Sequence, residues 1–220
     1  MSNYERVISY GYNKSAIIRR ISDVKGTLVS NIKDYSFVRC MRADKYAFVT
    51  DMRYLYNFYT SDMIKTSNEL AKLLHDNTTA ESFHKVKEQF NKSYSPAMFA
   101  YLCNNSYYGR PRFNMNGGFN ASFGGIKDPI LQVDRIRTFE TDVEVSFCFI
   151  EKIAKFYDSS CTFILDAKEL SDREHRWLVE SIRGRNAFII IDPMMLHHYI
   201  GCDSFEYTHE LSLVTVKKGT

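Results

Sequence analysis

Residues 101–124 read YLCNNSYYGRPRFNMNGGFNASFG, and the second half of that stretch, Arg112 to Gly124, decides how the rest of the chain is read. Asn116, Gly117 and Gly118 are residue types that accept a positive φ at a tight turn, and aromatics stand on both sides, so the pattern predicts a β-hairpin. The first half, Asn104 to Arg112, sets Tyr107 and Tyr108 beside Gly109, Arg110 and Arg112. Aromatic rings wedge or stack against bases, Arg and Asn hold base edges or phosphates, and Gly lets a backbone come close. On chemistry alone, an exposed hairpin with ordinary surface arginines fits the same residues equally well.

The 220 residues, 45% hydrophobic, can bury a core of one domain or of a domain with an insert. A formal net charge of +3 does not announce nucleic-acid binding, although a locally basic face can supply it. The five cysteines are scattered and include no CxxC, as expected of reduced thiols in a cytosolic protein. No Cys or carboxylate stands at metal-ligand spacing from His197-His198, so no metal site is expected. No signal peptide and no membrane-length apolar run is visible, which implies a cytoplasmic protein without a membrane partner. Abundant Tyr, Phe, Asn and Lys hint at an AT-rich genome, such as that of a phage.

The opening stretch resembles, without a gap, the target-recognition hairpin of the Dam-type DNA adenine methyltransferases, roughly L-N-R-x-x-Y-N-G-x-x-R-Y-N-x-x-G-x-F-N-x-P-F-G. The matching residues are Leu102, Tyr107, Gly109, Arg112, Phe113, Asn114, Gly117, Phe119, Asn120, Phe123 and Gly124. Tyr108 stands where Asn is usual, and Ser122 where Pro is usual. The resemblance implies an α/β, Rossmann-like S-adenosylmethionine-dependent methyltransferase fold with a helical and β-hairpin DNA-recognition insert. Residues 1–64 would be the first part of the core, 65–138 the recognition lobe and 139–220 the second part. Double-stranded DNA is the partner it implies. Tyr107 and Tyr108 would wedge or stack, Arg110 and Arg112 would serve base edges or phosphates, and Asn114 and Asn120 would shape the hairpin.

Other stretches resemble the family more loosely. Gly11-Tyr12-Asn13-Lys14 is similar to its opening Y-x-G-x-K element, which makes Lys14 the candidate near cofactor and DNA. A helix is predicted over Ser15–Ile21. Tyr46 to Thr50 reads as a strand, and Asp51 at its end is similar to the family's ribose-binding carboxylate. Asp51 as N-cap of a helix over Met52–Ile64 is an equally physical reading. The glycine-rich cofactor loop that should precede it has no glycines here; in its register the chain offers Val29 to Phe37, with Tyr35 filling space that glycine leaves open.

Periodicity and capping residues predict helices over Thr66–His75, Thr79–Asn91, from Ser95-Pro96 onward, Asp128–Ile136, Ile150–Tyr157 and Ser171–Ile182. Strands are expected over Val143–Phe149, Cys161–Leu165, Ala187–Ile191, Phe205–Tyr207 and Leu211–Val216.

Methylating the amine of adenine requires a flipped base whose amino protons are accepted by a carboxylate and a backbone carbonyl. The family does this with Asp-Pro-Pro-Tyr at a strand end. The corresponding place here is Asp166-Ala-Lys-Glu169, which keeps the aspartate and loses both prolines and the aromatic. Asp166 is therefore the catalytic candidate, or a strand-end carboxylate that caps a neighbour. Asp192-Pro193-Met194-Met195 lies one helix and one strand too late and reads as a turn. The expectation is a catalytically degenerate Dam-like pseudoenzyme that binds DNA and needs no cofactor. An active DNA adenine methyltransferase using S-adenosylmethionine is the alternative. A protein-interaction role, such as a phage factor acting on host defence or methyltransferase components, is the second.

Overall fold

The protein was analysed as a computed structural model, which describes residues 19, 21, 23–32, 41–107, 111–126, 128–137, 143–155, 157, 158, 160–168, 170–200, 202, 205–208 and 213–217. The expected helix at Ser15–Ile21, Lys14, Tyr35, Tyr108, Arg110 and Glu169 lie outside the described residues or mostly so. The chain divides into two compact units: one holds Met52–Asp142, and the other joins Gly11–Asp51 to Val143–Thr220.

The second unit is built on a seven-stranded sheet in the order β3-β2-β1-β4-β5-β7-β6. Its strands are β1 (Asp23–Ser30), β2 (Arg42–Thr50), β3 (Glu144–Phe147), β4 (Thr162–Asp166), β5 (Asn186–Ile190), β6 (Phe205–Thr208) and β7 (Leu213–Val216). β1 to β5 pair in parallel, and β7 runs antiparallel to both β5 and β6. The chain winds outward from β1 through β2 and β3, then returns to β4 on the other side of β1. That reversal creates a topological switch point between β1 and β4, as in Rossmann-like folds. This is the α/β class that the resemblance implies, and the other unit is inserted between β2 and β3.

Strand residues in parallel sheets are buried on both faces, so their runs are nearly all apolar. Val29, Val49, Phe163, Leu165, Ala187, Ile189 and Val214 line one face in a single core cluster. Leu178, Val179 and Ile182 of the helix Asp172–Ile182 pack into that cluster. Each such burial contributes about 1.5–3 kcal/mol. Gly26 bulges β1 with φ +85°, and its N–H is taken by Asp44 Oδ2 at 2.8 Å, so it belongs to the strand and not to a cofactor loop.

The inserted unit comprises α1 (Arg53–Tyr59), α2 (Met63–Asp76), α3 (Ala80–Lys92), α4 (Pro96–Asn105) and α5 (Pro129–Arg137). The single helix expected over Met52–Ile64 is two helices. Thr60 and Ser61 turn their hydroxyls back onto the carbonyls of Tyr56 and Phe58, and Asp62 then caps α2 through Lys65 N–H at 2.9 Å. Thr79 and Ser82 form a reciprocal capping box on α3, and Ser95 caps α4 ahead of Pro96, as the sequence predicts. Ile150–Lys155 is a 3₁₀ helix and stops short of Tyr157. The helix Asp172–Ile182, α6 here, starts with the Glu174 carboxylate accepting the Ser171 N–H and ends ahead of Gly184 at φ +70°.

Candidate nucleic-acid interface and strand-end site

In the inserted unit, Phe113 bridges Phe119 and Ser106 bridges Phe123, so residues 106–107 and 111–124 pair as an antiparallel hairpin. At the turn Gly117 takes a positive φ, +78°, and Gly118 does not. Asn114 organises it. Its carbonyl accepts Gly117 N–H at 2.9 Å, and its side-chain Oδ1 accepts the N–H groups of Asn116 and Gly118 at 3.0 and 2.8 Å. Asn114 thus holds the turn of the hairpin.

Side chains alternate across the hairpin. Phe113, Phe119, Ala121 and Phe123 point into the unit, while Arg112, Asn114, Asn120 and Ser122 are exposed. The inward rings meet a helix-borne aromatic cluster: Phe113 stacks on Tyr54 at 5.3 Å, Phe119 meets Phe90 at 6.0 Å, and Phe123 meets Phe83 at 5.2 Å. Such pairs add about 0.5–1.5 kcal/mol each beyond area burial. Asn91 of α3 fixes the returning arm by donating to the Phe119 carbonyl at 3.0 Å and accepting its N–H at 2.7 Å. Tyr54 reaches the Gly117 carbonyl at 3.1 Å. At the base, Gly124 N–H bonds Asn105 O at 2.8 Å, and the side chains of Asn105 and Gln132 pair in the buried interior. Tyr107, 58% exposed, stands at the same end of the hairpin. The fold therefore gathers Arg112, Asn114, Asn120 and Tyr107 onto one hairpin.

In the other unit, Asp51 follows β2 at its carboxyl end and is exposed. It does not cap α1; the cap position is Met52, with no side-chain hydrogen bond. The described loop after β1 begins at Asn31, so Val29 and Ser30 of the expected cofactor loop belong to the strand. Asn31 spans from β1 to the end of β4, donating to Asp166 O at 2.9 Å and accepting Asp166 N–H at 2.8 Å. Ile32 is wholly buried. Neither Asn31 nor Ile32, at this end of β1, is the glycine that the resemblance implies for a cofactor loop.

Asp166 ends β4 half-buried. Its Oδ1 accepts the Lys168 N–H at 3.2 Å, the next carbonyl, of Ala167, accepts Leu170 N–H at 3.2 Å, and Ala167 N–H continues the ladder to Ile190 O at 2.8 Å. Strand end and α6 are joined by a tight, internally bonded turn. Asp192 likewise caps the 3₁₀ helix Pro193–His198 through Met194 N–H, the turn role expected of it.

One grouping was not visible in the sequence. Asp172 of α6 meets His197 and His198, their ligating atoms all within 4.8 Å of one another. A hydrogen bond from His198 holds the Asp172 carboxyl below the usual carboxylate range. Burial, reinforced by His198, pushes His175 below the ordinary imidazole value. Twenty-odd residues separate the aspartate from the histidines, so no local spacing could flag the group.

Comparison with known proteins finds a partial likeness. The chain is 30% identical to a DNA adenine methylase of Escherichia coli (strain K12) over 112 residues, 48% of this chain and 40% of that protein. The likeness to proteins of this name covers about half of the chain. The Salmonella typhi protein of that name is 29% identical over 112 residues, and the Serratia marcescens one 29% over 97 residues, 41% of this chain and 35% of the relative. The matched stretch thus spans about two-fifths of the length of these relatives. No family model matches the chain. Among the described residues, no helix is long and apolar enough to cross a membrane.

Proposed function

We infer that the chain is a DNA-binding, catalytically degenerate relative of the DNA adenine methylases, which engages double-stranded DNA with the outer face of the 106–124 hairpin. The observation that carries this reading is the alternation. The inward rings of Phe113, Phe119 and Phe123 are spent on the helices, and Arg112, Asn114, Asn120 and Ser122 are left exposed. A rigid hairpin presenting Arg and amide groups is suited to a groove, where Arg reads guanine or phosphate and Asn reads adenine. Tyr107, and Tyr108 and Arg110 of the neighbouring sequence, extend that chemistry.

The end of β4 supports degeneracy. Accepting the two amino protons of a flipped adenine needs a free carboxylate oxygen and a free carbonyl. Ala167 O and an Asp166 oxygen are instead occupied within the turn, no proline orients the carbonyl, and the sequence has Glu169 where the family has its stacking ring. The second reading, an active enzyme using S-adenosylmethionine, has one observation in its favour: Asp51 is exposed at the end of β2 and is not consumed as a helix cap.

Fluorescence anisotropy with a short adenine-containing duplex, alongside calorimetric titration of S-adenosylmethionine, tests both. The inferred function expects salt-dependent duplex binding that Arg112→Ala weakens, and a flat cofactor titration. Absence of duplex binding removes it and leaves a protein partner to be sought. Cofactor binding weakened by Asp51→Ala replaces it with the enzyme.

A further inference from the structure

The carboxyl edge of the sheet carries a second group of polar side chains, beyond β4 and β5 and apart from the turn at Asp166. Asp172 opens α6, and His197 and His198 close the 3₁₀ helix that follows β5. His198 Nε2 stands 3.0 Å from Asp172 Oδ1, and the two neighbouring imidazoles approach to 3.9 Å between ring centres although they are adjacent in sequence. We propose that Asp172, His197 and His198 form a binding site for a divalent transition-metal ion of the zinc type.

Three features beyond proximity support this. The Nδ1 of His197 lies 2.9 Å from the Met194 carbonyl, which takes its proton and leaves Nε2 with the lone pair; metal-binding imidazoles are oriented by this kind of bond to a backbone carbonyl. The His198 side chain is only 7% exposed while Asp172 is 63% exposed, so one ligand is fixed and the site opens to solvent on the other side. Behind them, the wholly buried His175 lies parallel to His198, 4° between ring planes and 5.6 Å between centres, and bonds Tyr199 through Nδ1 at 2.8 Å. Its Nε2 has no protein partner, although a buried polar atom of this kind is costly unless something nearby satisfies it.

The chemistry selects the ion. Two imidazole nitrogens and one carboxylate suit zinc, with bonds of about 2.0–2.2 Å, whereas magnesium and calcium favour all-oxygen sets. The 3.0 Å between His198 Nε2 and Asp172 Oδ1 is close to the edge of a coordination polyhedron with such bonds. In the metal-free protein a proton shared by that pair holds the same geometry, and an incoming cation displaces it. Three protein ligands leave at least one coordination position to water or to an oxygen of an external ligand.

The test uses the whole chain, stripped with EDTA, titrated with cobalt(II) by visible absorption and with zinc(II) by competition. Stoichiometric binding of one ion per chain is expected, with zinc displacing cobalt and magnesium failing to. His197→Ala and Asp172→Asn alter exposed positions, so each should keep the far-ultraviolet spectrum and lose at least about tenfold in affinity. His75→Ala, which removes an exposed histidine paired with Asp76 in the other unit, should change nothing. Absence of saturable binding overturns the site, and so does wild-type affinity in either His197→Ala or Asp172→Asn.

Discussion

Two asparagines perform the same operation in two regions of this molecule, with opposite consequences. Asn91 clamps the N–H and carbonyl of Phe119, and Asn31 clamps those of Asp166. In each case one side-chain amide stands in for a missing strand. At the hairpin, the clamp holds the inward face down and leaves a polar outer face. At the end of β4, it draws the strand end toward β1 at the switch point, where open α/β sheets receive their ligands. The same physical device fixes a hairpin arm in one unit and ties the end of β4 to the end of β1 in the other.

The largest effect should come from breaking the hairpin at its base. A Cβ at Gly124 would sit 2.5 Å from Ser106 O and 2.7 Å from Tyr107 Cα, both backbone atoms that cannot swing aside. Gly124→Ala should therefore cost about 3 kcal/mol, the upper end for overpacking. Thermal denaturation should show it, and duplex binding should fall with it. Unaltered stability and binding would mean that the hairpin base yields without consequence.

The clamps themselves come next. Asn91→Ala and Asn31→Ala each leave a backbone N–H and carbonyl without their partner, at a cost of about 1–3 kcal/mol. Their functional effects should separate. Asn91→Ala should weaken duplex binding and expose the hairpin to protease, whereas Asn31→Ala should leave duplex binding intact. Asn31→Gly in particular should untie the end of β4 from the end of β1, and gain of S-adenosylmethionine binding on calorimetry would show that this tie excludes the cofactor. Equal loss of DNA affinity in the Asn31 and Asn91 variants would break the comparison.

At the outer face, Arg112→Ala should cost about 1–3 kcal/mol of duplex affinity if the guanidinium reads a base. If it holds a phosphate instead, the loss should be uniform across sequences, with a salt slope shallower by about one. Affinity and slope both unchanged would remove Arg112 from the interface.

How much of this was legible beforehand follows from how local each cause is. The hairpin was, because alternation of Phe119, Asn120, Ala121, Ser122 and Phe123 is a period-two signal and Gly117 marks its turn. The capped helices were too: Thr79 with Ser82, Ser95 with Pro96, and Ser171 with Glu174 act within one helical turn. The break at Thr60 was missed because hydroxyls bonding backward compete with a helix that the apolar spacing alone would continue. The clamps were illegible, since Asn31 and Asp166 lie 135 residues apart and Asn91 and Phe119 lie 28 apart, and asparagine leaves no periodic trace. The Asp172–His197–His198 group has the same character, for the fold alone brings a helix start to a later 3₁₀ helix.

The smallest effect tests both units at once, through buried tyrosines. Burial pushes the Tyr101 hydroxyl, which donates to Asn77 O at 2.8 Å in the inserted unit, up to about 12. Burial likewise takes Tyr157 in the sheet unit to about 12, with Glu144 raising it further and the Ser146 hydrogen bond pulling the other way. In the unfolded chain a tyrosine ionises near pH 10. Because the folded values are the higher ones, the native state holds these protons after the unfolded chain has released them. Their contribution to stability is complete below about pH 10 and is lost as the pH rises through about 12. Denaturant midpoints measured from pH 9 to 11.5 should therefore fall with pH, and Tyr101→Phe and Tyr157→Phe should each flatten that fall. Phenolate absorbance followed separately through each variant would show whether the two units lose their tyrosine protons together or one before the other. A common transition would mean that the hairpin-bearing unit and the sheet unfold as a single cooperative body. Two transitions would mean that the recognition surface can melt while the tied strand end persists, and that the contrast between the two clamps extends to their stabilities.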